Sequence, residues 1–206
     1  MTGYYLVLDV GTTGIKALVF TRSLKIVGRA YERIEKTHPK PGWVEQSPQE
    51  MVRLSKKVLR GAVRSSRVSF KSLRALGITN QRETTIVWNR KTGRPVYPAI
   101  IWEDKRTANV CARMRRGKLE MMVRSKTGLT IDPYFSATKL GWVLKHAVGN
   151  LSHPSLILPS GRGGKSISPP YRGGVRGGEL CFGTVDTWIL WNLLEGQPHL
   201  THWTNA

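Results

Sequence analysis

The sequence predicts a mixed α/β domain, and three features of the residue pattern support this fold class. Short apolar runs joined by tight links open the chain, an amphipathic helix follows them, and apolar strands and helices complete it. The length of 206 residues fits one large domain or two small ones. A composition of 40% hydrophobic and 22% charged residues is typical of globular rather than disordered chains.

The N-terminal part is predicted to form three strands, over residues 4–8, 16–20 and 26–31. The links between these runs are too short for a parallel crossover, so neighbouring strands should be antiparallel. The first link, residues 9–15, is a turn rich in glycine and threonine.

A helix is predicted to begin just after Ser47. Ser47 can cap the helix, Pro48 fits its first turn, and Glu50 would complete a capping box. Apolar residues then recur at helical spacing opposite a basic face. These apolar residues are Met51, Leu54, Val58, Leu59, Ala62 and Val63.

The rest of the chain alternates predicted strands and helices. The strands are expected over residues 75–79, 85–88 and 96–102, with a hairpin turn at 91–94. The helices are expected over residues 136–147 and 186–194. Three aspartates are interpreted as helix-start residues, since acids stabilise the first turn of a helix; they are Asp104, Asp132 and Asp186.

Residues 152–178 interrupt this pattern. Sixteen of these 27 residues are Gly, Pro or Ser, four are Lys or Arg, and none is acidic. Such a segment cannot bury enough apolar surface to offset its ordering entropy, so we expect a disordered insert. The second interpretation, which we favour, is translated sequence that never belonged to the original reading frame.

The charge balance is strongly basic, with 33 Lys and Arg against 13 Asp and Glu and a formal net charge of +20. This predicts attraction to phosphate, nucleic acid or anionic surfaces and says nothing about fold. Two cysteines exclude a disulfide scaffold and suit a reducing compartment, so we expect a cytoplasmic location. No apolar run approaches the ~18 residues of a membrane span, and no signal peptide is recognisable.

The glycine-threonine turn suggests phosphate chemistry. Such a turn presents backbone N–H groups and hydroxyls without bulky side chains, which suits a phosphate cradle. Asp9, at the end of the first strand, could hold Mg²⁺, and Lys16 could stabilise phosphate charge. An ordinary hairpin with a turn aspartate explains the same pattern equally well.

Further along, residues 80–85 form a polar block between two apolar strands. Arg82 supplies a planar fork of donors and Glu83 two acceptor oxygens, a combination that suits a polyhydroxyl ligand. Trp102 could wall the carbon side of that ligand, and the Tyr134 hydroxyl could bind one of its oxygens. The alternatives are a solvated turn, a half-buried core tryptophan and a tyrosine packed at a helix entry.

Several motifs, taken together and in order, resemble the N-terminal domain of the FGGY carbohydrate kinase family, and within it the glycerol kinases. The resemblance covers residues 4–150 and 179–206. The motifs are Asp9-Val10-Gly11-Thr12-Thr13, Gly42-Trp43-Val44-Glu45-Gln46, Asn80-Gln81-Arg82-Glu83-Thr84-Thr85, Trp102 with Arg106-Thr107, Ser125-Lys126-Thr127-Gly128-Leu129, Tyr134-Phe135-Ser136, and Phe182-Gly183-Thr184-Val185-Asp186-Thr187-Trp188.

The resemblance implies a ribonuclease H-like fold of the actin/hexokinase type and the ATP- and Mg²⁺-dependent phosphorylation of glycerol to glycerol 3-phosphate. It implies a glycerol pocket lined by Arg82, Glu83, Trp102 and Tyr134. It also implies that Asp9 lies near Mg²⁺, and that Gly11, Thr12, Thr13 and Lys16 lie near the ATP phosphates.

The chain departs from the family pattern at two places. Glycerol kinases often carry Ser-Ser-x-Arg after the paired threonines, whereas Gly14-Ile15-Lys16 stands here, and lysine keeps the charge without the bidentate fork. The family's catalytic aspartate and its C-terminal, adenine-binding domain would lie beyond Ala206. We therefore expect no catalytic residue within these residues and no useful kinase activity from the isolated chain.

The resemblance implies three partners: glycerol, the C-terminal kinase domain, and further copies in a homo-oligomer of the full-length form. The alternative functions are a kinase for another polyol or sugar, and a basic, non-catalytic remnant that binds nucleic acid weakly and nonspecifically. His199 and His202 are interpreted as surface or tail residues rather than metal ligands.

Overall fold

The computed structural model describes residues 3–116, 118–147, 156–157, 160–161 and 180–201. The strands are β1 (Tyr4–Val10), β2 (Gly14–Thr21), β3 (Ile26–Arg33), β4 (Glu45–Gln46), β5 (Leu73–Asn80), β6 (Ile86–Asn89), β7 (Ala99–Ile100), β8 (Leu156–Ile157), β9 (Ser160–Gly161), β10 (Leu180–Gly183) and β11 (Leu200–Thr201). The helices are α1 (Pro48–Ser66), α2 (Ala108–Arg115), α3 (Lys118–Thr127), α4 (Ser136–His146) and α5 (Val185–Leu193).

The main sheet has the order β3-β2-β1-β5. The first three strands are antiparallel neighbours, as predicted, and β5 pairs parallel with β1. The carboxyl ends of β1 and β5 therefore meet at one edge of the sheet, where Val10 lies opposite Asn80. This edge carries the turn after β1 and the polar block after β5.

Helix α1 covers one face of this sheet. It begins where the sequence predicts, because the Ser47 hydroxyl accepts a hydrogen bond from the backbone N–H of Glu50 at 3.2 Å. The Glu50 carboxylate bonds the Arg53 guanidinium instead of closing the capping box. The predicted apolar face is buried against the sheet through Met51, Leu54, Val58 and Ala62.

A second sheet has the order β6-β10-β8, with β10 antiparallel to β6. The predicted hairpin turn is present, since the N–H of Gly93 donates to the Asn89 carbonyl at 2.8 Å and Gly93 has a φ of 64°. The predicted strand over 96–102 is shorter than expected, and only Ala99–Ile100 pairs as β7. Pro98, just before β7, has no N–H with which to extend the ladder.

A cluster of aromatic rings joins the second sheet to α1 and α5. Trp88 is fully buried and meets Trp188 and Trp191 edge-on at 5.2 and 5.5 Å between ring centroids. The Trp188 indole donates to the carbonyl of Pro48 at 2.8 Å, which ties α5 to the start of α1.

His199 belongs to this cluster, so the predicted surface or tail role is wrong for it. Its ring lies 5.3 Å from that of Trp88, and its Nε2 lies 2.8 Å from the Phe182 carbonyl oxygen. Burial lowers the pKa of His199. His202 lies outside the described residues. Among the described residues, no cluster of His, Cys, Asp or Glu could hold a metal ion.

The 152–178 segment is described only at β8 and β9. Strand β8 pairs parallel with β10, and β9 pairs parallel with β11. The predicted disorder concerns residues that otherwise lie outside the described part of the chain, and it stays a prediction. Within that described part, no helix is both long and apolar enough to cross a membrane.

Candidate functional site

The turn after β1 is closed by its own backbone. The N–H of Gly11 donates to the carbonyl of Gly14 at 3.0 Å, and the Thr13 carbonyl accepts from Ile34 N–H at 3.2 Å. The Thr13 side chain is exposed and Thr12 is half-buried. The turn therefore offers threonine hydroxyls and a bare glycine backbone at the open edge of the sheet.

Asp9 and Lys16, facing each other across β1 and β2, form an ion pair of 3.0 Å between Oδ2 and Nζ. Their side chains are 31% and 51% exposed, so a ligand could reach both. A single carboxylate fits Mg²⁺ in the way this ion is usually bound, with one or two protein oxygens, several waters and substrate phosphates. The pair thus brings a carboxylate of a kind that suits Mg²⁺ and a cation of a kind that suits phosphate together.

Trp102 connects this turn to the predicted polyol pocket. Its indole Nε1 donates to the hydroxyl of Thr12 at 2.9 Å. The Trp102 ring also meets the ring of Tyr134 edge-on, at 6.0 Å between centroids. Both rings are part-exposed, at 38% and 37%, so a ligand could reach either of them.

Glu83 lies against the start of α4. Its carboxylate accepts hydrogen bonds from the N–H and the hydroxyl of Ser136, at 2.9 and 3.0 Å. A carboxylate is favoured there because the helix N-terminus is the positive end of the macrodipole. Glu83 also has a φ of 64°, a left-handed conformation that is strained for a residue other than glycine and recurs at functional sites.

Arg82 precedes Glu83 and is exposed, and it makes no hydrogen bond or ion pair with the described residues. Its place is nevertheless fixed by the neighbouring backbone, because Gln81 N–H donates to the Val10 carbonyl at 2.9 Å. Arg82 and Asp9 therefore both lie at the carboxyl edge of the main sheet. Side-chain contacts join Trp102 to Tyr134 and to the turn after β1, whereas Glu83 contacts Ser136 at the start of α4 and Arg82 is placed only by its backbone.

A buried chain of amides supports the turn from below, and the sequence reasoning missed it. The Gln46 side chain donates to the Thr12 carbonyl at 2.9 Å and accepts from the Gln81 amide at 2.7 Å. The Gln81 oxygen in turn accepts from the Thr84 hydroxyl at 3.2 Å. The polar block is thus partly a core network rather than a solvated turn. The sequence signal for this network was the position of Gln46 and Gln81 in motifs next to apolar strands.

Asp104 is not a helix-start residue, because α2 begins four residues later at Ala108. Its carboxylate is buried and binds the Arg106 guanidinium, at 2.9 and 2.8 Å. It also accepts the N–H of Val44 at 2.6 Å. The interpretation of Asp104 from sequence was wrong because it considered only local helix chemistry.

The Arg106 side chain is completely buried between aromatic rings. Its guanidinium carbon lies 4.0 Å from the ring centroid of Trp43 and 4.6 Å from that of Trp142. Burial opposes the charge, but the bonds to Asp104 and Glu45 raise the pKa of Arg106 above its usual value. This ionic cluster anchors the segment that carries Trp102.

Of the remaining two aspartates, Asp186 is a helix-start residue, as predicted, whereas Asp132 lies four residues before α4 and outside its first turn. Asp132 accepts the N–H of Tyr134 at 2.8 Å in the turn before α4. Asp186 lies in the first turn of α5 and accepts hydrogen bonds from the hydroxyls of Thr184 and Thr201.

Lys139 lies beneath Tyr134 and was also missed. It is fully buried on α4, and its ammonium donates to the carbonyl of Tyr134 at 2.6 Å. Burial lowers its pKa to about 8, against the opposing effects of Glu83, Asp104 and Asp132. Buried lysines are rare, and the only signal in the sequence was its place at helical spacing among core residues.

The comparisons with known proteins agree with this geometry. The chain is 41% identical over 203 residues to the glycerol kinase of Shigella dysenteriae serotype 1 (strain Sd197), which covers 98% of this chain and 36% of that protein. The crystal structure of Plasmodium falciparum glycerol kinase with ADP superposes with a TM-score of 0.74 at 26% identity, covering 95% of this chain and 35% of that one.

A gluconate kinase from Lactobacillus acidophilus shows the same fold, with a TM-score of 0.65 at 18% identity over 72% of this chain and 29% of that one. These likenesses confirm the predicted fold class, a ribonuclease H-like domain of the actin/hexokinase type with a mixed sheet flanked by helices. The chain spans about a third of the length of the relatives it matches. The sequence model of the FGGY family of carbohydrate kinases, N-terminal domain, matches residues 4–206, and the chain therefore belongs to this family.

Proposed function

We propose that the protein transfers the terminal phosphoryl group of ATP to glycerol, with Mg²⁺, and that this chain supplies the glycerol pocket and the phosphate-facing turn. The observation that carries the proposal is the hydrogen bond of 2.9 Å between Trp102 and Thr12. It joins a residue suited to a polyol to a residue suited to phosphate, as phosphoryl transfer between the two requires. Relatives named glycerol kinases support glycerol as the acceptor.

In the proposed pocket, each side chain has a distinct task. Arg82 has free donors for hydroxyl oxygens, and Glu83 offers acceptor oxygens that Ser136 already orients. Trp102 and Tyr134 form a wall for the carbon chain, and the Tyr134 hydroxyl can bond one more oxygen. A pocket that bonds every hydroxyl rejects analogues that lack one.

On the phosphate side, the backbone of Gly11 and the hydroxyls of Thr12 and Thr13 would face the nucleotide. Lys16 would compensate phosphate charge, and Asp9 would hold Mg²⁺ mostly through water. The bound ion would neutralise charge on the phosphate oxygens. Before any ligand binds, the ion pair between Asp9 and Lys16 keeps both side chains oriented.

The cytoplasm is the proposed location. Both cysteines are free and buried, which fits a reducing compartment.

The proposal is tested by glycerol binding to the 206-residue chain, because binding needs the pocket alone. The indole N–H signal of Trp102 in a nitrogen-15 NMR spectrum should shift as glycerol is added. Propane-1,2-diol, which lacks one hydroxyl, should bind at least tenfold more weakly. Arg82→Ala and Glu83→Gln should each weaken glycerol binding by roughly tenfold or more, since each removes a charge-assisted hydrogen bond.

Arg60→Ala serves as the control, because Arg60 is exposed on α1 and outside the proposed pocket. It should bind glycerol like the unaltered chain. Tighter binding of xylulose or gluconate than of glycerol would assign a different acceptor within the family. A Trp102 signal that responds to none of these compounds would refute the proposed pocket.

A further inference from the structure

The buried ammonium of Lys139 has one neighbour that points to a role in the pocket. Its hydrogen bond of 2.6 Å goes to the backbone carbonyl of Tyr134, five residues earlier and outside helix α4. The Tyr134 ring in turn meets Trp102 at 6.0 Å and Phe135 at 5.1 Å. The lysine therefore holds the backbone from which the exposed tyrosine ring projects.

Charged groups from three other segments act on the Lys139 ammonium. Glu83 follows β5, Asp104 precedes α2, and Asp132 precedes α4, and all three favour the charged form. Arg106 opposes it, and burial opposes it most strongly. The lysine thus lies within electrostatic range of carboxylates from three segments.

A purely structural role explains this arrangement poorly. A buried ion costs desolvation free energy, and apolar residues of similar volume often serve a core equally well or better. The methylene stem of Lys139 could be replaced by methionine without loss of packing. What only the ammonium supplies is a charged donor aimed at the Tyr134 carbonyl.

We propose that Lys139 is a positioning residue of the polyol pocket, which fixes the Tyr134 ring against Trp102 by holding the Tyr134 carbonyl. This inference rests on the proposed function, because it assigns a task within that pocket. Loss of the proton from Lys139 leaves a neutral amine, whose hydrogen bond to the carbonyl is weaker. The pocket should therefore loosen in mildly alkaline solution, since the pKa of Lys139 is about 8.

The test compares Lys139→Met with Lys145→Met, a change of an exposed lysine on the same helix. At pH 7, Lys139→Met should weaken glycerol binding at least tenfold and shift the Trp102 indole signal before any glycerol is added. Lys145→Met should change neither. Glycerol binding by the unaltered chain should weaken roughly three- to tenfold between pH 7 and pH 9, and binding by Lys139→Met should not vary with pH.

Glycerol binding by Lys139→Met within twofold of the unaltered chain would overturn the inference. If the unaltered chain binds no glycerol, the proposed function fails. The role of Lys139 is then decided without glycerol, because an unchanged Trp102 indole signal in Lys139→Met would refute it. If Lys139→Met does not fold, a pH titration of the unaltered chain tests the role of Lys139 instead. The Trp102 signal must then move with the Lys139 side-chain signal, with a midpoint near 8.

Discussion

Trp102 and Thr12 are 90 residues apart in the chain, and the indole of one donates a hydrogen bond of 2.9 Å to the hydroxyl of the other. Thr12 follows the first strand of the main sheet, while Trp102 follows a short strand outside that sheet. The bond therefore fixes the distance between two segments that no shared ladder holds together. Its geometry sets how close Trp102, the proposed wall of the polyol pocket, lies to the turn after β1.

Replacing Thr12 with valine removes the acceptor of this bond and keeps the side-chain shape. We expect the Trp102 indole N–H signal to move and glycerol binding to weaken roughly two- to tenfold, which corresponds to the loss of one hydrogen bond. Stability should change by less than about 1 kcal/mol, because water can reach the part-exposed indole. Thr13→Val is the control and should leave the Trp102 signal in place. Equal shifts in both variants would contradict a specific link.

The buried glutamine pair gives a stability prediction. Gln81→Leu should lower the free energy of unfolding by about 1–3 kcal/mol, because it leaves the buried Gln46 amide without its partner. Gln46→Leu should have a similar effect and also release the Thr12 carbonyl. Urea unfolding of both single variants and the double variant measures the coupling between them. Costs that simply add would show that the two amides act independently.

Local patterns in the sequence were sufficient to predict most of the fold. Apolar runs with short links predict the antiparallel β1-β2-β3 meander, and Ser47 predicts the start of α1. These features depend on neighbours within a few residues, so a linear pattern contains them. The parallel pairing of β5 with β1 depends on contacts about 70 residues apart and required the structure.

The sequence allowed candidate ligand-facing side chains to be named, but it did not reveal the buried side chains that bind each other. Arg82, Glu83, Trp102 and Tyr134 follow from motif resemblance, and of these four the structure joins Trp102 to Tyr134 and to the turn after β1. Asp104 was misread, because its partner Val44 is 60 residues away, and the Arg106 side chain that binds Asp104 also binds the distant Glu45. Buried polar networks of this kind depend on tertiary packing, which a single sequence does not express.

Gly28 lets β3 approach helix α1 closely, so we predict that this position does not tolerate a larger side chain. A Cβ at Gly28 would lie 2.4 Å from the carbonyl oxygen of Ala62 and 2.5 Å from the Cβ of Ser66. Gly28→Ala should therefore lower the free energy of unfolding by about 1–3 kcal/mol, through displacement of α1. Gly77→Ala is the control, since its Cβ would meet only Val7 at 4.0 Å. Equal unfolding midpoints in urea for the two variants would contradict this account.

At position 106, we predict that lysine cannot replace arginine without loss of stability. Arg106→Lys keeps the charge but loses the fork that binds Asp104 and Glu45 together and the stacking on Trp43. We expect a loss of about 2–4 kcal/mol in the free energy of unfolding, because buried partners lose hydrogen bonds. Arg53→Lys, which alters an exposed pair with Glu50, should leave the free energy of unfolding almost unchanged. Thermal and urea unfolding check both predictions. Equal losses in the two variants would mean that the buried cluster around Arg106 stabilises the fold no more than the exposed pair does.

Lys139 should make the stability of the fold depend on pH in a direction opposite to its effect on glycerol binding. Its pKa is about 8 in the folded chain and 10.5 in the ordinary, solvated state that the unfolded chain provides. Below pH 8 both states carry the proton, and the folded state bears the full cost of burying the charge. Between pH 8 and 10.5 the folded state releases the proton while the unfolded state keeps it, so stability rises by up to about 3 kcal/mol.

Urea unfolding of the unaltered chain and Lys139→Met at pH 7 and pH 10 isolates this contribution from other titrating groups. Lys139→Met should be at least as stable as the unaltered chain at pH 7, because it removes a buried charge. That advantage should shrink by about 2–3 kcal/mol at pH 10, where the lysine is neutral in the folded state. A Lys139→Met variant that loses more stability at pH 7 than at pH 10 would show that the ammonium stabilises the fold itself. The buried charge would then need no function in the pocket to account for it.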